Sequence, residues 1–313
     1  MPCYSPLKGW KDRDTGGLTF RRESSLGTEM EVACGQCLGC RMDHSRMWAA
    51  RIMHEASLYD DQSGNCFLTL TYRDEWDCSV DQRKNGYHIP SDGSLHPSHL
   101  QKFIKRVRKK YAPKKIRFFA VGEYGEETNR PHYHVILFNH DFSDSVAIRE
   151  KEGIWLYESD ELSGLWPYGF STVGSVTFES AAYCARYCLK KITGPQAEEH
   201  YERFDPELGY YYQLHPEFIR MSLKPGVGYD WFKRYETDFF PRDECPIPGR
   251  STLKKTPRYY EKILELSDDE MLMEVKEARK QFRMENREKY TPKALMDAYT
   301  VKKAQIKLLK REL

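Results

Sequence analysis

Two histidines separated by one residue, His132-Tyr133-His134, lie in a strongly apolar run, HYHVILF (132–138). In an extended strand residues i and i+2 face the same side. Both imidazoles therefore project together, and Tyr133 points to the opposite face. A second apolar run, IRFFAVGEYG (116–125), precedes it and carries Glu123. If the turn between the runs centres near residues 127–128, Glu123 falls directly opposite His132, where cross-strand partners stand about 5 Å apart. Two imidazoles and one carboxylate make a facial ligand set with open positions. Such a set suits Mg²⁺ or Mn²⁺ in its carboxylate and open sites, and Mn²⁺ or a later metal in its imidazoles. The competing reading is a pair of half-buried histidines that hydrogen-bond elsewhere.

A second constellation follows in Tyr183-Cys-Ala-Arg-Tyr187-Cys-Leu-Lys190-Lys191. Tyrosines at i and i+4 share one helix face, about 6 Å apart along the axis. A phenol with its ordinary pKa near 10 is a weak nucleophile at neutral pH. A neighbouring ammonium, Lys190 or Lys191, or a metal ion favours the phenolate and stabilises charge on an attacked phosphate. The competing reading is an amphipathic helix with tyrosines at its rim. Cys184 and Cys188 on the adjoining face read as small buried hydrophobes. A third run, Phe67-Leu-Thr-Leu-Thr-Tyr72, alternates as a core strand, with Phe67, Thr69 and Thr71 on one side.

The elements that must position these groups are legible in outline. Residues 41–60 read as a helix, 66–72 as a strand, and 97–110 as a helix with its proline early. Residues 116–125 and 132–138 read as a hairpin, 170–176 as a strand, and 180–193 as a helix closed by Gly194 and Pro195. Pro246, Pro248 and Gly249 suggest a linker, and the chain from 259 onward is helical in period, interrupted near Pro292. The pattern predicts an α+β fold, a central antiparallel sheet with helices on one face. The expected segments are 1–60, a Cys-cluster segment and helix; 61–195, the core; 196–250, a loop-rich extension; and 251–313, a charged helical tail.

The 313 residues include 40% hydrophobic and 31% charged side chains, which excludes disorder and collagen-like repeats for the whole chain. No run of about 18 apolar residues marks a membrane span, and the first ten residues lack a signal core. The net charge is only +2, but it is unevenly spread: residues 1–250 carry 33 basic and 36 acidic side chains, and residues 251–313 carry 16 and 11. Residues 101–117 hold nine Lys or Arg and no acid. That block predicts a polyanion contact through Lys102, Lys105, Arg106, Arg108, Lys109 and Lys110, against the alternative of a solvated helix face. Nine cysteines is an odd count, and Cys34, Cys37 and Cys40 crowd too closely for an ordinary disulfide framework. Reduced thiols in a cytoplasm are the expectation. Three thiols in seven residues suggest a structural zinc site lacking one ligand, with His44 the local candidate for the fourth. An iron–sulfur cluster and unliganded thiols are the alternatives.

The order FLTLTY, GEYG followed by RPHYH, then YxxxYxxK resembles the three motifs of the HUH endonucleases, the His-hydrophobic-His rolling-circle replication initiators. The likeness is closer to the replication initiation proteins of gokushovirus-type microviruses. It extends to MPCYSPL at the start, CGQCLGC before a helix, and PGVGYDWFKRY at 225–235, and spans roughly residues 1–260. Tyr133 departs from the family in being more polar than the usual middle residue. The resemblance implies a ferredoxin-like core of five antiparallel strands with the histidines on its central strand. It implies an enzyme in which a tyrosine cuts one strand at an origin, stays joined to the 5′ phosphate and leaves a 3′ hydroxyl; Tyr187 and Tyr183 are both expected nucleophiles, Tyr187 the first choice because Lys190 and Lys191 follow it by one helical turn. It implies Glu123, His132 and His134 as ligands of Mg or Mn, Cys3 as the family-like fourth ligand beside Cys34, Cys37 and Cys40 of a structural Zn, and supercoiled or single-stranded circular origin DNA as partner. Host helicase and polymerase are expected, in the cytoplasm of a bacterial host. No phosphate-binding Gly-rich loop ending in Lys-Ser/Thr is present, so no built-in helicase is expected. The alternatives are a relaxase or single-strand transposase of the same superfamily, and a non-catalytic DNA-binding adaptor.

Overall fold

The computed structural model describes residues 3–59, 64–73, 92–125, 128–151, 153–187, 196–205 and 209–307. A small antiparallel sheet opens the chain, β1 (Leu7–Asp12), β2 (Leu18–Thr19) and β3 (Ser25–Val32), in the order β2-β1-β3. Helix α1 (Leu38–Ala56) follows. The central elements are β4 (Asn65–Tyr72), α2 (Pro97–Lys110), β5 (Arg117–Tyr124), β6 (Pro131–Phe138), β7 (Val146–Lys151), β8 (Ile154–Glu158), α3 (Asp160–Leu165), β9 (Gly169–Ser175) and α4 (Phe178–Tyr187). Beyond them lie α5 (Gln196–Tyr201), β10 (Glu202–Asp205), β11 (Tyr210–Gln213), β12 (Phe218–Met221), α6 (Tyr229–Arg234), α7 (Glu236–Phe239), β13 (Glu244–Ile247), β14 (Arg250–Lys254), α8 (Arg258–Ser267), α9 (Asp269–Glu285) and α10 (Pro292–Lys307).

The main sheet is antiparallel, with seven strands in the order β12-β5-β6-β4-β9-β8-β7. The histidine strand β6 is the middle one of the first five. The β7–β8 hairpin extends that set through a single pair, Tyr157 opposite Val173. Strand β12, which starts 31 residues beyond the end of α4 in sequence, closes the other edge against β5.

Helices cover both faces of this sheet, not one as the sequence pattern suggested. Leu68, Leu70, Tyr133, Val135 and Leu137 bury against Leu100, Phe103, Ile104 and Val107 of α2 and against Leu162 and Leu165 of α3. The four α2 side chains each stabilise by roughly 1.5–3 kcal/mol when fully buried. Phe67, Phe119, Val121, Ile136 and Phe138 face the other way, onto Ala49, Ile52 and Ala56 of α1 and Ala181 and Cys184 of α4. The physical reason lies in β5 and β6. Both carry apolar residues at odd and even positions, so a bare face would expose a contiguous apolar surface.

A third apolar cluster joins the outer side of α1 to the C-terminal third, through Trp231, Phe232, Phe239, Tyr260, Leu264, Leu272 and Val275. Helices α8 and α9 are thus packed on the body by their apolar stripe, and the core runs across the expected boundaries at 60, 195 and 250. The expected linker at 246–249 is instead the turn of a hairpin: β13 pairs with β14, Ile247 opposite Arg250, and Gly249 takes φ +70° at the corner. Proline and glycine mark a tight turn as readily as a linker.

The segment Pro225 to Tyr229 is held by three buried charges. Arg51 donates to the Val227 carbonyl at 3.0 and 2.9 Å, with its guanidinium between the rings of Trp48 and Tyr259. Arg117 donates to Glu55 at 2.5 Å and to the Pro225 carbonyl at 2.9 Å, and Glu55 accepts the Gly228 N–H at 2.7 Å. Both glycines are required. A Cβ at Gly226 would stand 2.4 Å from the Tyr259 hydroxyl, and Gly228 has φ +82° with the Tyr260 hydroxyl 2.3 Å from its would-be Cβ.

Candidate metal and nucleophile site

The β5–β6–β4–β9 registers arrange the site in rows. Glu123, His132, Thr71 and Phe170 stand directly opposite one another in one row; Val121, His134, Thr69 and Thr172 form the next. Alternation puts both rows on the face covered by α1 and α4. The predicted pairing of Glu123 with His132 is the observed one, because the tip at residues 125–130 is the length the turn argument assumed.

The side chains converge. Glu123 Oε1 lies 2.8 Å from His132 Nε2 and 2.9 Å from His134 Nε2. The three ligand atoms all lie within 4.8 Å of one another. Glu123 is 1% exposed and His134 5%, so this is a desolvated carboxylate between two imidazoles. Burial raises the Glu123 pKa, but hydrogen bonds from His132 and His134 outweigh it and hold the carboxyl below its ordinary value. His132 Nδ1 is 3.0 Å from the Arg130 carbonyl, which can only accept. Nδ1 therefore carries a proton, and Nε2 is the atom turned toward Glu123. With Nδ1 protonated, that contact calls for a positive charge, either a second proton on the ring or a divalent ion between Nε2 and the carboxylate. Neighbouring ligands on an octahedral ion with bonds of about 2.1 Å stand about 3.0 Å apart. The observed contacts match that spacing, so the residues fit such an ion.

His134 is fixed on both sides and from behind. Phe67 stacks on it with centroids 5.3 Å apart, and Tyr183 meets it edge-on at 5.1 Å. Thr69 Oγ1 is 3.2 Å from its Nδ1. Tyr133, between the ligands, points into the opposite core with its hydroxyl satisfied by Tyr72 at 2.7 Å and the His96 N–H at 2.7 Å. Its polarity thus serves the far face and leaves the ligand face unaffected.

His132, His134 and Tyr183 open into one cleft of about 720 Å³, lined also by Thr69, Thr71, Arg130, Trp155 and Thr172, with Glu123 buried behind the two histidines. Tyr183 reaches it because α4 packs on the sheet through Ala181 and Cys184. Cys184 is buried as expected. Arg186 has its guanidinium 5.9 Å from the Tyr183 ring centroid. Tyr187 closes the described helix one turn further on, and Cys188, Lys190 and Lys191 lie outside the described residues. Thr69 lies on the strand side that the β4 alternation gave in sequence, whereas Arg130 and Trp155 were not singled out: they reach the cleft through a loop and an edge hairpin that carry no periodic signal.

The basic helix is not part of this cleft. α2 packs on the opposite face of the sheet, so the sheet separates its charges from the triad. Three of its cations are already engaged: Arg106 donates to the Leu165 carbonyl at 2.8 Å, Arg108 to the Ile116 carbonyl at 3.2 Å, and Lys110 pairs with Glu161 at 3.3 Å. Lys102, Lys105 and Lys109 are exposed. The Cys3, Cys34, Cys37 and Cys40 sulfurs do come together, at the N-terminus of α1, while His44 turns its Nε2 to the Trp48 N–H at 3.2 Å. Among the described residues no helix is long and apolar enough to cross a membrane.

The family model described as Replication-associated protein ORF2/G2P matches residues 65–192, the stretch that contains the triad and Tyr183. The chain is 31% identical over 287 residues to Replication-associated protein VP4 of Bdellovibrio phage phiMH2K, covering 88% of this chain and 80% of that one. It is 32% identical over 240 residues to Replication-associated protein ORF2 of Spiroplasma virus 4, covering 75% and 68%. It is 30% identical over 169 residues to Replication-associated protein ORF4 of Chlamydia phage 1, covering 51% and 38%. No solved structure gives a significant match. The likeness extends over most of the chain and includes the residues that build the cleft: the chain belongs to the replication-associated protein family of the microviruses.

Proposed function

We propose that this protein initiates rolling-circle DNA replication by cutting and rejoining one strand at an origin, as a tyrosine-using, metal-dependent enzyme with an HUH-type, ferredoxin-like core. The observation that carries the reading is the cluster of Glu123, His132 and His134, whose two histidines share one cleft with the Tyr183 ring. A DNA-binding adaptor has no use for a buried carboxylate between two imidazoles.

Glu123, His132 and His134 hold Mg²⁺ or Mn²⁺, which when bound polarises a phosphate and offsets its developing charge. The Tyr183 oxygen attacks the phosphorus, the bond from phosphorus to the 3′ oxygen breaks, and the phenol proton passes, net, to that oxygen. The products are a 5′-phosphotyrosine and a 3′ hydroxyl. One ester replaces another, so the reverse step rejoins DNA without a nucleotide cofactor. Tyr183 is the better placed first nucleophile because its ring packs on His134. Tyr187, one helical turn away, serves the second cut that ends a round. Exposed Trp155 and Phe170, with Arg73 over the Phe170 ring at 5.6 Å, offer stacking surfaces for unpaired bases beside the cleft. Lys102, Lys105 and Lys109 bind phosphates on the other side. Host helicase and polymerase act on the exposed strand, in the bacterial cytoplasm.

The test is adduct mapping. Purified protein is incubated with Mn²⁺ and single-stranded fragments tiling the cognate replicon, and covalent peptide–oligonucleotide masses are read by mass spectrometry. Tyr183→Phe and Tyr187→Phe should each keep some single cleavage and fail to sustain repeated rounds, and the double variant should trap no DNA. An adduct on the double variant, or undiminished cutting by His134→Ala, refutes the assignment.

A further inference from the structure

We propose that Cys3, Cys34, Cys37 and Cys40 form a tetrathiolate zinc site that anchors the start of the chain to α1 and, through α1, fixes the helix that carries Tyr183. The four sulfurs lie within 4.8 Å of one another, with Cys3 3.6 Å from Cys34 and 3.8 Å from Cys37. A tetrahedron of thiolates at the usual zinc–sulfur distance of about 2.3 Å has edges of about 3.8 Å. A disulfide, at about 2.05 Å between sulfurs, does not describe these contacts.

The surroundings argue against inert thiols. Cys66, Cys184 and Cys245 behave as small hydrophobes, each 1% exposed or less, whereas all four clustered cysteines are only half-buried. Three backbone N–H groups are aimed at the cluster: Tyr4 to Cys37 at 3.3 Å, Cys34 to Cys3 at 3.3 Å, and Cys37 to Cys34 at 3.2 Å. Such donors stabilise thiolate charge around a metal. Cys37 is the N-cap of α1 and Cys40 lies in its first turn, so the positive end of a 19-residue helix faces the same charge. Cys3 completes the set, and His44 is committed to Trp48.

The consequence for the cleft runs along α1. Ser45 donates to the Ala182 carbonyl at 3.3 Å, and Ala49 and Ile52 pack with Ala181 and Cys184 of α4. Pinning the first turn of α1 therefore sets where α4 stands. This positioning role rests on the proposed use of Tyr183; the metal site does not.

The experiment uses full-length protein and no DNA, so it stands apart from the nicking assay. Metal content is measured on wild type, on His134→Ala, which removes the competing histidine site, and on Cys3→Ser. The expected result is one zinc ion per chain in the first two, resistant to dialysis against a mild chelator and released by a thiol-specific mercurial. Exchange with Co²⁺ should give sulfur-to-cobalt charge transfer and the visible bands of a tetrahedral tetrathiolate, lost or shifted in Cys3→Ser and kept in His44→Ala. Stripping the zinc should speed amide hydrogen exchange in α4. Folded wild type without zinc, stoichiometric iron in its place, or an unchanged cobalt spectrum in Cys3→Ser overturns the site. Unchanged exchange in α4 after stripping overturns the positioning role.

Discussion

Thr69→Val isolates the role of a single hydroxyl. Thr69 stands directly opposite His134 in the β4–β6 register, with its Oγ1 3.2 Å from Nδ1. Valine keeps the β-branch and the volume, so the strand and its packing should survive. What disappears is the polar partner that sets the tilt and tautomer of the ring. Losing an orienting partner of a metal-bound histidine typically weakens metal affinity 10–100-fold. Here the contact is long for a hydroxyl, and Phe67 and Tyr183 already clamp the ring from two sides. The lower end applies, about tenfold or ~1.4 kcal/mol. The assay is single-turnover cleavage of an origin oligonucleotide against Mn²⁺ concentration, with calorimetric Mn²⁺ titration of free protein beside it. Half-saturation should move up about tenfold in both, with the rate at saturating metal within about twofold of wild type. An unchanged midpoint refutes the orienting role. A rate loss that saturating metal does not restore places the hydroxyl on substrate instead.

Neutralising Lys102, Lys105 and Lys109 to Gln should flatten the salt dependence of duplex binding by roughly 2.7 units, about 0.9 per phosphate contact, while leaving cleavage of a short oligonucleotide confined to the cleft unchanged; an unaltered slope makes α2 a solvated face. Arg117→Met strands Glu55 as a buried unpaired charge and should lower stability in urea by about 3–5 kcal/mol, and a loss below about 1 kcal/mol contradicts that reading. His54 is buried, bonded to Tyr260 at 2.8 Å and to the Pro246 carbonyl at 2.7 Å, and burial chiefly pushes its pKa down to about 4. The folded ring therefore stays neutral while the unfolded one protonates below about 6.5, so its contribution falls as pH drops from about 6.5 toward 4, by ~3 kcal/mol in all. Its NMR titration should show no midpoint above pH 5; a midpoint near 6.5 removes this source of acid lability.

The triad was legible because two local rules sufficed. Alternation put His132 and His134 on one side, and the length of the tip placed Glu123 opposite. The apolar stripe of α2 was equally plain, Leu100, Phe103, Ile104 and Val107, but a stripe says which side of a helix is buried and not which face of a sheet it covers. That is why the basic block and the Glu123, His132 and His134 cluster could be named and still not placed on opposite sides. The missed layer had left a trace in β5 and β6, whose residues are apolar at both parities. The anchoring of 225–229 left none, since Arg51 and Glu55 look like ordinary surface residues of a charged helix until their partners more than 170 positions later are in place.

The clamp on the Pro225–Tyr229 loop bears on how the protein comes into being. Synthesis is vectorial, and Arg51 emerges from the ribosome 176 residues ahead of the carbonyl it binds, Arg117 108 residues ahead of its own. The stretch matched by the family model ends at residue 192, before β12 and the loop have been made. A chain of that length holds Glu123, His132, His134 and Tyr183 and keeps the Arg117–Glu55 pair, but leaves Arg51 without the Val227 carbonyl, Arg117 without the Pro225 carbonyl and Glu55 without the Gly228 N–H. It should show no cooperative unfolding transition and no adduct with DNA. On the proposed function, cutting is then withheld until residues 218–229 have been made, and termination before them yields an inert fragment instead of an unregulated nickase.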